Sequence, residues 1–168
     1  MGLRISTIAL IFIATVSNMF GFNEVDSLRK HINQLKAKST NSKQLIDAYN
    51  ELAQLLITRD PKQSIHNADT AIYLSLEIQY RKGEVAAYII SANSYDQLQN
   101  LDSSIALANR ALNLAKNTSN KQAIVAANTI LGNSYFSKGD VERSISHYLN
   151  SLSISETDPS LDFNTAST

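Results

Sequence analysis

The side chains best suited to acid–base or metal chemistry in this sequence are three histidines and a few carboxylates, since cysteine is absent. His66 and Asp69 stand three residues apart, which on a helix puts an imidazole and a carboxylate on one face, the spacing of an acid–base pair or of two metal ligands. Asp47 and Glu51, four apart, would share a face in the same way. Neither pair has a third ligand or a counterpart elsewhere in the chain, and His31 and His147 fall in separate segments. A solvated helix surface explains both pairs better than catalysis, so no catalytic residue, metal ligand or cofactor is assigned. The stretch LGNSYFSKGDVERSI, residues 131–145, places two glycines around an aromatic and raises the question of a phosphate loop. Such a loop needs a Gly-rich turn after a strand, with Lys and then Ser or Thr opening the next helix. Here Gly132 lies within a helical stripe and Lys138 precedes the turn, so the stretch reads as a joint between helices.

The elements that would position these residues are set by an internal repeat. Residues 85–112 and 125–152 align without a gap at a spacing of 40, with ten identities: Val85/Val125, Ala86/Ala126, Ala87/Ala127, Ile90/Ile130, Asn93/Asn133, Ser94/Ser134, Tyr95/Tyr135, Ser104/Ser144, Ile105/Ile145 and Leu112/Leu152. Ordinary composition would give roughly two. A weaker copy precedes them, in which Leu52, Ala53 and Leu56 take the places of Leu131, Gly132 and Tyr135, as expected of a terminal repeat. Within each copy apolar residues recur at steps of three and four, as in Leu45, Ile46, Tyr49, Leu52, Ala53 and Leu56, the period of a helix with one buried stripe. Asp60-Pro61 reads as a helix cap and first residue, Gly83 after Arg81-Lys82 as a helix end, and Gly139-Asp140 as an end followed by a cap. Helices are expected over 42–58, 61–80, 84–98, 101–117, 121–138 and 140–156. A lead-in helix carrying Val25, Leu28, Ile32 and Leu35 is expected within 23–41. The three hairpins correspond to repeats at about 45–82, 84–118 and 121–157, within one domain over 42–157. Residues 158–168 are polar with a proline and are expected to be disordered.

Charge and the N-terminus bound the partners. Fifteen basic and fifteen acidic residues balance, so no basic field attracts a nucleic-acid backbone. Residues 1–22 carry one charge, Arg4, and an apolar run from Ile5 to Val16 broken by Ser6, Thr7 and Thr15. A run of about a dozen residues is short for a bilayer span, which takes ~20, and has the shape of an export signal. It is read as cleaved, or as an anchor if retained. The expected location is therefore the periplasm or cell envelope, with no membrane contact after cleavage.

The repeat resembles the tetratricopeptide repeat. The signature of a bulky residue, then Gly or Ala, then Tyr, a Gly at the turn and small–aromatic–small in the second helix is carried by Leu131, Gly132, Tyr135, Gly139, Ser144, Tyr148 and Ser151. The middle copy supplies Ala92, Tyr95, Ser104, Ala108 and Ala111. A front Trp is missing, Ser replaces Ala at 144 and 151, and the period is 40 where the family's is 34. The longer period is similar to repeats in the sensory regions of bacterial histidine kinases, cyclases and transcriptional regulators, and implies helices longer by nearly a turn. The resemblance implies an all-α fold, a right-handed α-solenoid of about three antiparallel hairpins.

It further implies a concave groove lined by the first helix of each hairpin. Asn93 and Asn133 fall where peptide-binding members carry an Asn that bonds the ligand's main chain or terminal carboxylate, and Gln54 is the match in the first copy. Ala86, Ile89, Asp96, Ala126, Thr129 and Phe136 are the neighbouring groove positions, without the Lys and Arg of a carboxylate clamp. The candidate peptide-binding residues are Gln54, Asn93, Asp96, Asn133 and Phe136. The expected function is a non-catalytic protein- or peptide-binding scaffold, the exported input module of a bacterial signalling protein. The alternative is a stand-alone periplasmic adaptor or assembly factor, a homo-oligomer through its C-terminal hairpin, because Ile145, Leu149 and Leu152 would otherwise stay uncovered. Within the joint at 131–145, Tyr135 and Ile145 are expected to pack inside.

Overall fold

The structure, a computed structural model, describes residues 24–156. The leader at 1–22 and the tail at 158–168 lie outside the described residues. Seven helices follow one another: α1 at 24–38, α2 Lys43–Leu56, α3 Pro61–Glu77, α4 Arg81–Gln97, α5 Leu101–Asn117, α6 Lys121–Ser137 and α7 Val141–Glu156. No helix among them is long and apolar enough to cross a membrane.

From α3 onward the helices start at 61, 81, 101, 121 and 141, so the 40-residue repeat consists of two 20-residue units. Each joint is built the same way. Gln79, Gln99, Ser119 and Gly139 take the left-handed conformation, with φ of 55°, 57°, 51° and 80°. The next residue returns its N–H to a carbonyl five residues back: Tyr80 to Ser75, Asn100 to Tyr95, Asn120 to Ala115 and Asp140 to Tyr135. This pair of features is the Schellman end, which satisfies carbonyls the helix leaves free. Three of these same residues then cap the following helix. Asn100, Asn120 and Asp140 accept from the N–H groups of Ser103, Ala123 and Arg143 through their side-chain oxygens. One side chain thus closes the gap between two helices, which is why three residues suffice as a turn. Tyr80 makes no such bond.

Small residues set the spacing between helices. Ala53, Ala68, Ala71, Ala87, Ala92, Ala108, Ala111, Ala115 and Ala127 are fully buried. Tyr88, Leu112, Ile130 and Leu131 fill the space around the alanines in the main cluster, with Tyr135 packed against it. Buried hydroxyls link successive hairpins: Ser94 donates to Ser64 at 2.7 Å, and Ser104 and Ser134 share a bond of 2.9 Å. At the N-terminal end α1 lays Val25 and Ile32 on Leu45, Ala48, Leu52 and Leu56. From α2 to α7 each helix packs on the next, α2 also touches α4, and α4 touches α6. No comparable contact joins α3 to α5 or α5 to α7 among the described residues. The row α2, α4, α6 is therefore the closer-packed one and lines the inner side of an all-α solenoid.

The structure corrects two sequence expectations. Gly83 does not end a helix; it is buried in the first turn of α4, which begins at Arg81. A Cβ there would lie 2.6 Å from Ile46 Cγ2 and 2.6 Å from the Tyr80 ring, so the glycine serves the close approach of α2 to α4. Ile145, expected inside, is 52% exposed, because no helix among the described residues packs on the outer side of α7.

Candidate functional site

The inner row holds a groove of about 290 Å³ between α2, α4 and α6. Ala86, Ile89 and Ala126 form an apolar floor; Gln54 and Gln122 supply amides and Lys82 the charge. Small residues on the floor keep the recess open where larger ones would fill it. Its walls offer donors and acceptors for a peptide main chain, and no carboxylate lies among its lining residues.

Of the sequence-predicted groove residues, Gln54 lines this recess and the other four lie elsewhere on the inner row. Asn93 is half-buried on α4 and Asn133 is exposed on α6. Their settings differ: the Asn133 Oδ1 accepts the Tyr148 hydroxyl at 2.6 Å, while the middle copy has Ala108 in place of that tyrosine. Asp96 accepts from the Ser134 hydroxyl at 2.9 Å, which ties α4 to α6. Phe136 is 65% exposed. Thr129 donates to the Val125 carbonyl and is bonded to Ser151 of α7.

The acid–base candidates do not converge. His66 and Asp69 are both exposed on α3, and partial burial raises the Asp69 carboxyl pKa against the opposing pull of His66. Asp47 accepts from the Tyr80 hydroxyl at 3.3 Å, and Tyr80 is raised by burial and then by that carboxylate. Glu51 and His31 are exposed. His147 meets the Asn128 side-chain oxygen at 3.0 Å through Nδ1 and stacks on Tyr135 at 5.5 Å, and the Arg143 guanidinium lies over that Tyr135 ring. Among the described residues no three His, Asp or Glu side chains gather as a metal site. Sequence reasoning passed over Glu84, a buried carboxylate held by the Arg81 guanidinium at 2.7 Å, which gave no signal because it is a single acid in a helix's first turn.

Residues 85–118 and 125–158 each match the family profile described as tetratricopeptide repeat. No curated protein and no solved structure matches the chain.

Proposed function

The chain is a tetratricopeptide repeat protein, and from that premise we propose that it binds an extended segment of a protein partner along its inner row, as the exported input module of a signalling protein. Repeats of this family serve as protein-interaction scaffolds, and the groove over Ala86, Ile89 and Ala126 carries the reading. Its amides suit a peptide main chain and its floor suits small apolar side chains. The leader-like residues 1–22 support export, and the 40-residue period supports the signalling assignment. Catalysis has no part in this reading. A second reading, self-association through the last hairpin, is favoured by the bare outer face of α7.

A random linear peptide library displayed on phage tests the groove. Ala126 is half-buried at the floor, so Ala126→Arg fills the recess from a helix surface that tolerates the side chain. The native repeat domain should enrich peptide families that Ala126→Arg loses by about tenfold or more at an unchanged melting temperature. Asn93→Ala and Asn133→Ala, measured separately, ask whether the two amides contribute. Equal enrichment by the native domain and by the Ala126→Arg variant would refute binding in the groove.

A further inference from the structure

α7 repeats α5 at 40 residues, with Ile145 for Ile105, Tyr148 for Ala108 and Leu152 for Leu112. On α5 these positions belong to the main apolar cluster, closed from the other side by Ala127, Ile130 and Leu131 of α6. On α7 they are bare: Val141, Ile145, Leu149 and Leu152 are 53, 52, 60 and 54% exposed, and Tyr148 39%. This face continues the hairpin-to-hairpin interface of the array by one more step. The opposite end is closed, since α1 occupies the outer side of α2.

We propose that two copies of this chain pair through the face, α7 against α7, antiparallel about a two-fold axis between Tyr148 and Leu149. Head-to-tail stacking would need the side of α2 that α1 covers, so association through α7 is isologous and closes at two copies. Reflection about that midpoint carries Ile145 onto Leu152 and Tyr148 onto Leu149, so the apolar stripe meets itself. It also carries Glu156 to the first turn of the other copy's α7, where free backbone N–H groups favour a carboxylate. From Ser144 to Ser155 the helix has no Lys, Arg, Asp or Glu, so the two-fold opposes no like charges along its centre. Five large side chains at about half exposure offer roughly 400–500 Å² per copy, against the ~800 Å² per partner of a standard interface, which places the pairing with the small, reversible interfaces.

Self-association rests on the second reading above and not on the groove; Leu149→Glu is expected to leave peptide enrichment unchanged, so either can fail alone. The test is sedimentation equilibrium of residues 23–168, a fragment with all seven helices and the whole of their core, from about 5 to about 500 µM. A monomer–dimer equilibrium without larger species is expected, and the fragment ending at Glu156 should keep it. Leu149→Glu, which places two carboxylates at the axis, should weaken dimerisation at least ~100-fold with the melting temperature of the dilute monomer unchanged. A monomer at every concentration overturns the proposal, as does a dimer that survives Leu149→Glu. Dimerisation only after removal of residues 157–168 would overturn it too, by showing that they cover the face in place of a second copy. Open-ended growth would overturn the two-fold arrangement.

Discussion

Gly132→Ala isolates the contact that distinguishes the last repeat from the middle one. A Cβ at 132 would stand 2.6 Å from Tyr148 Cε1, 2.7 Å from Cδ1 and 2.9 Å from Cζ, so the ring must swing away. Swinging it gives up the hydroxyl bond to Asn133 and the ring's packing on α6. Overpacking of this kind costs about 1–3 kcal/mol, and the better helix propensity of alanine returns about 1 kcal/mol. A net loss of about 1 kcal/mol, a melting temperature roughly 3–5 °C lower, is expected for a domain of this size. The middle repeat makes the reasoning sharper, because it holds Ala92 and Ala108 at the same two places, both fully buried. Trimming the tyrosine first should therefore reverse the sign: in a Tyr148→Ala background, Gly132→Ala should stabilise by up to about 1 kcal/mol. Urea unfolding followed by far-ultraviolet circular dichroism on the four chains measures the coupling. If Gly132→Ala destabilises equally in both backgrounds, the glycine is not there for the tyrosine and the argument fails.

That pair shows why the fold was legible in the sequence while parts of its detail were not. The 40-residue identity and the three-four apolar spacing depend on residue type alone, and both survive as helices and core. Position by position, the middle copy has Ala92 and Gln99 where the last has Gly132 and Gly139, a comparison that implies neither glycine is required. Gln99 does adopt the left-handed turn that Gly139 adopts, with Gln79 and Ser119 doing the same, so at that site the comparison held. The left-handed residues Gln79, Gln99 and Ser119 carry no compositional mark of that conformation, although the expected helix spans already place the breaks at 99–100 and 118–120. At 132 the comparison misled, because the glycine's reason lies sixteen residues away in Tyr148. Gly83 misled for a similar reason: Arg81-Lys82-Gly83 has the composition of a helix end, and only the distance to Ile46 reveals a close approach. Among the groove residues, Asn93 and Asn133 were aligned correctly, but their hydrogen bonds depend on position 108 or 148 of another helix. The apolar floor over Ala86, Ile89 and Ala126 was readable from the same alignment, whereas the recess itself required three helices in place.

Gly83→Ala should cost more than Gly132→Ala, about 2 kcal/mol after the helix gain, because its Cβ meets the fully buried Ile46 as well as the Tyr80 ring. The same shift would stretch the 3.1 Å bond from the Asn50 amide to the Gly83 carbonyl; a urea midpoint within error of the native one would refute the account. His147 makes the stability of the last hairpin depend on pH. Burial against Tyr135, and then the positive charge of Lys116, hold its pKa below the ordinary value of 6.5. The unfolded chain therefore takes up this proton more readily than the folded one, so the contribution is fully present above the unfolded value and is lost as pH falls through the folded one. Lys116 of α5 is the charge that acts in the same direction as burial, while Arg143 lies over the Tyr135 ring of the stack. Between about pH 7.5 and about pH 5.5 the native urea midpoint should fall more than that of His147→Gln, which has no proton to gain. A native midpoint that holds steady or rises relative to the glutamine variant over that interval would show that the stack does not exclude the imidazolium.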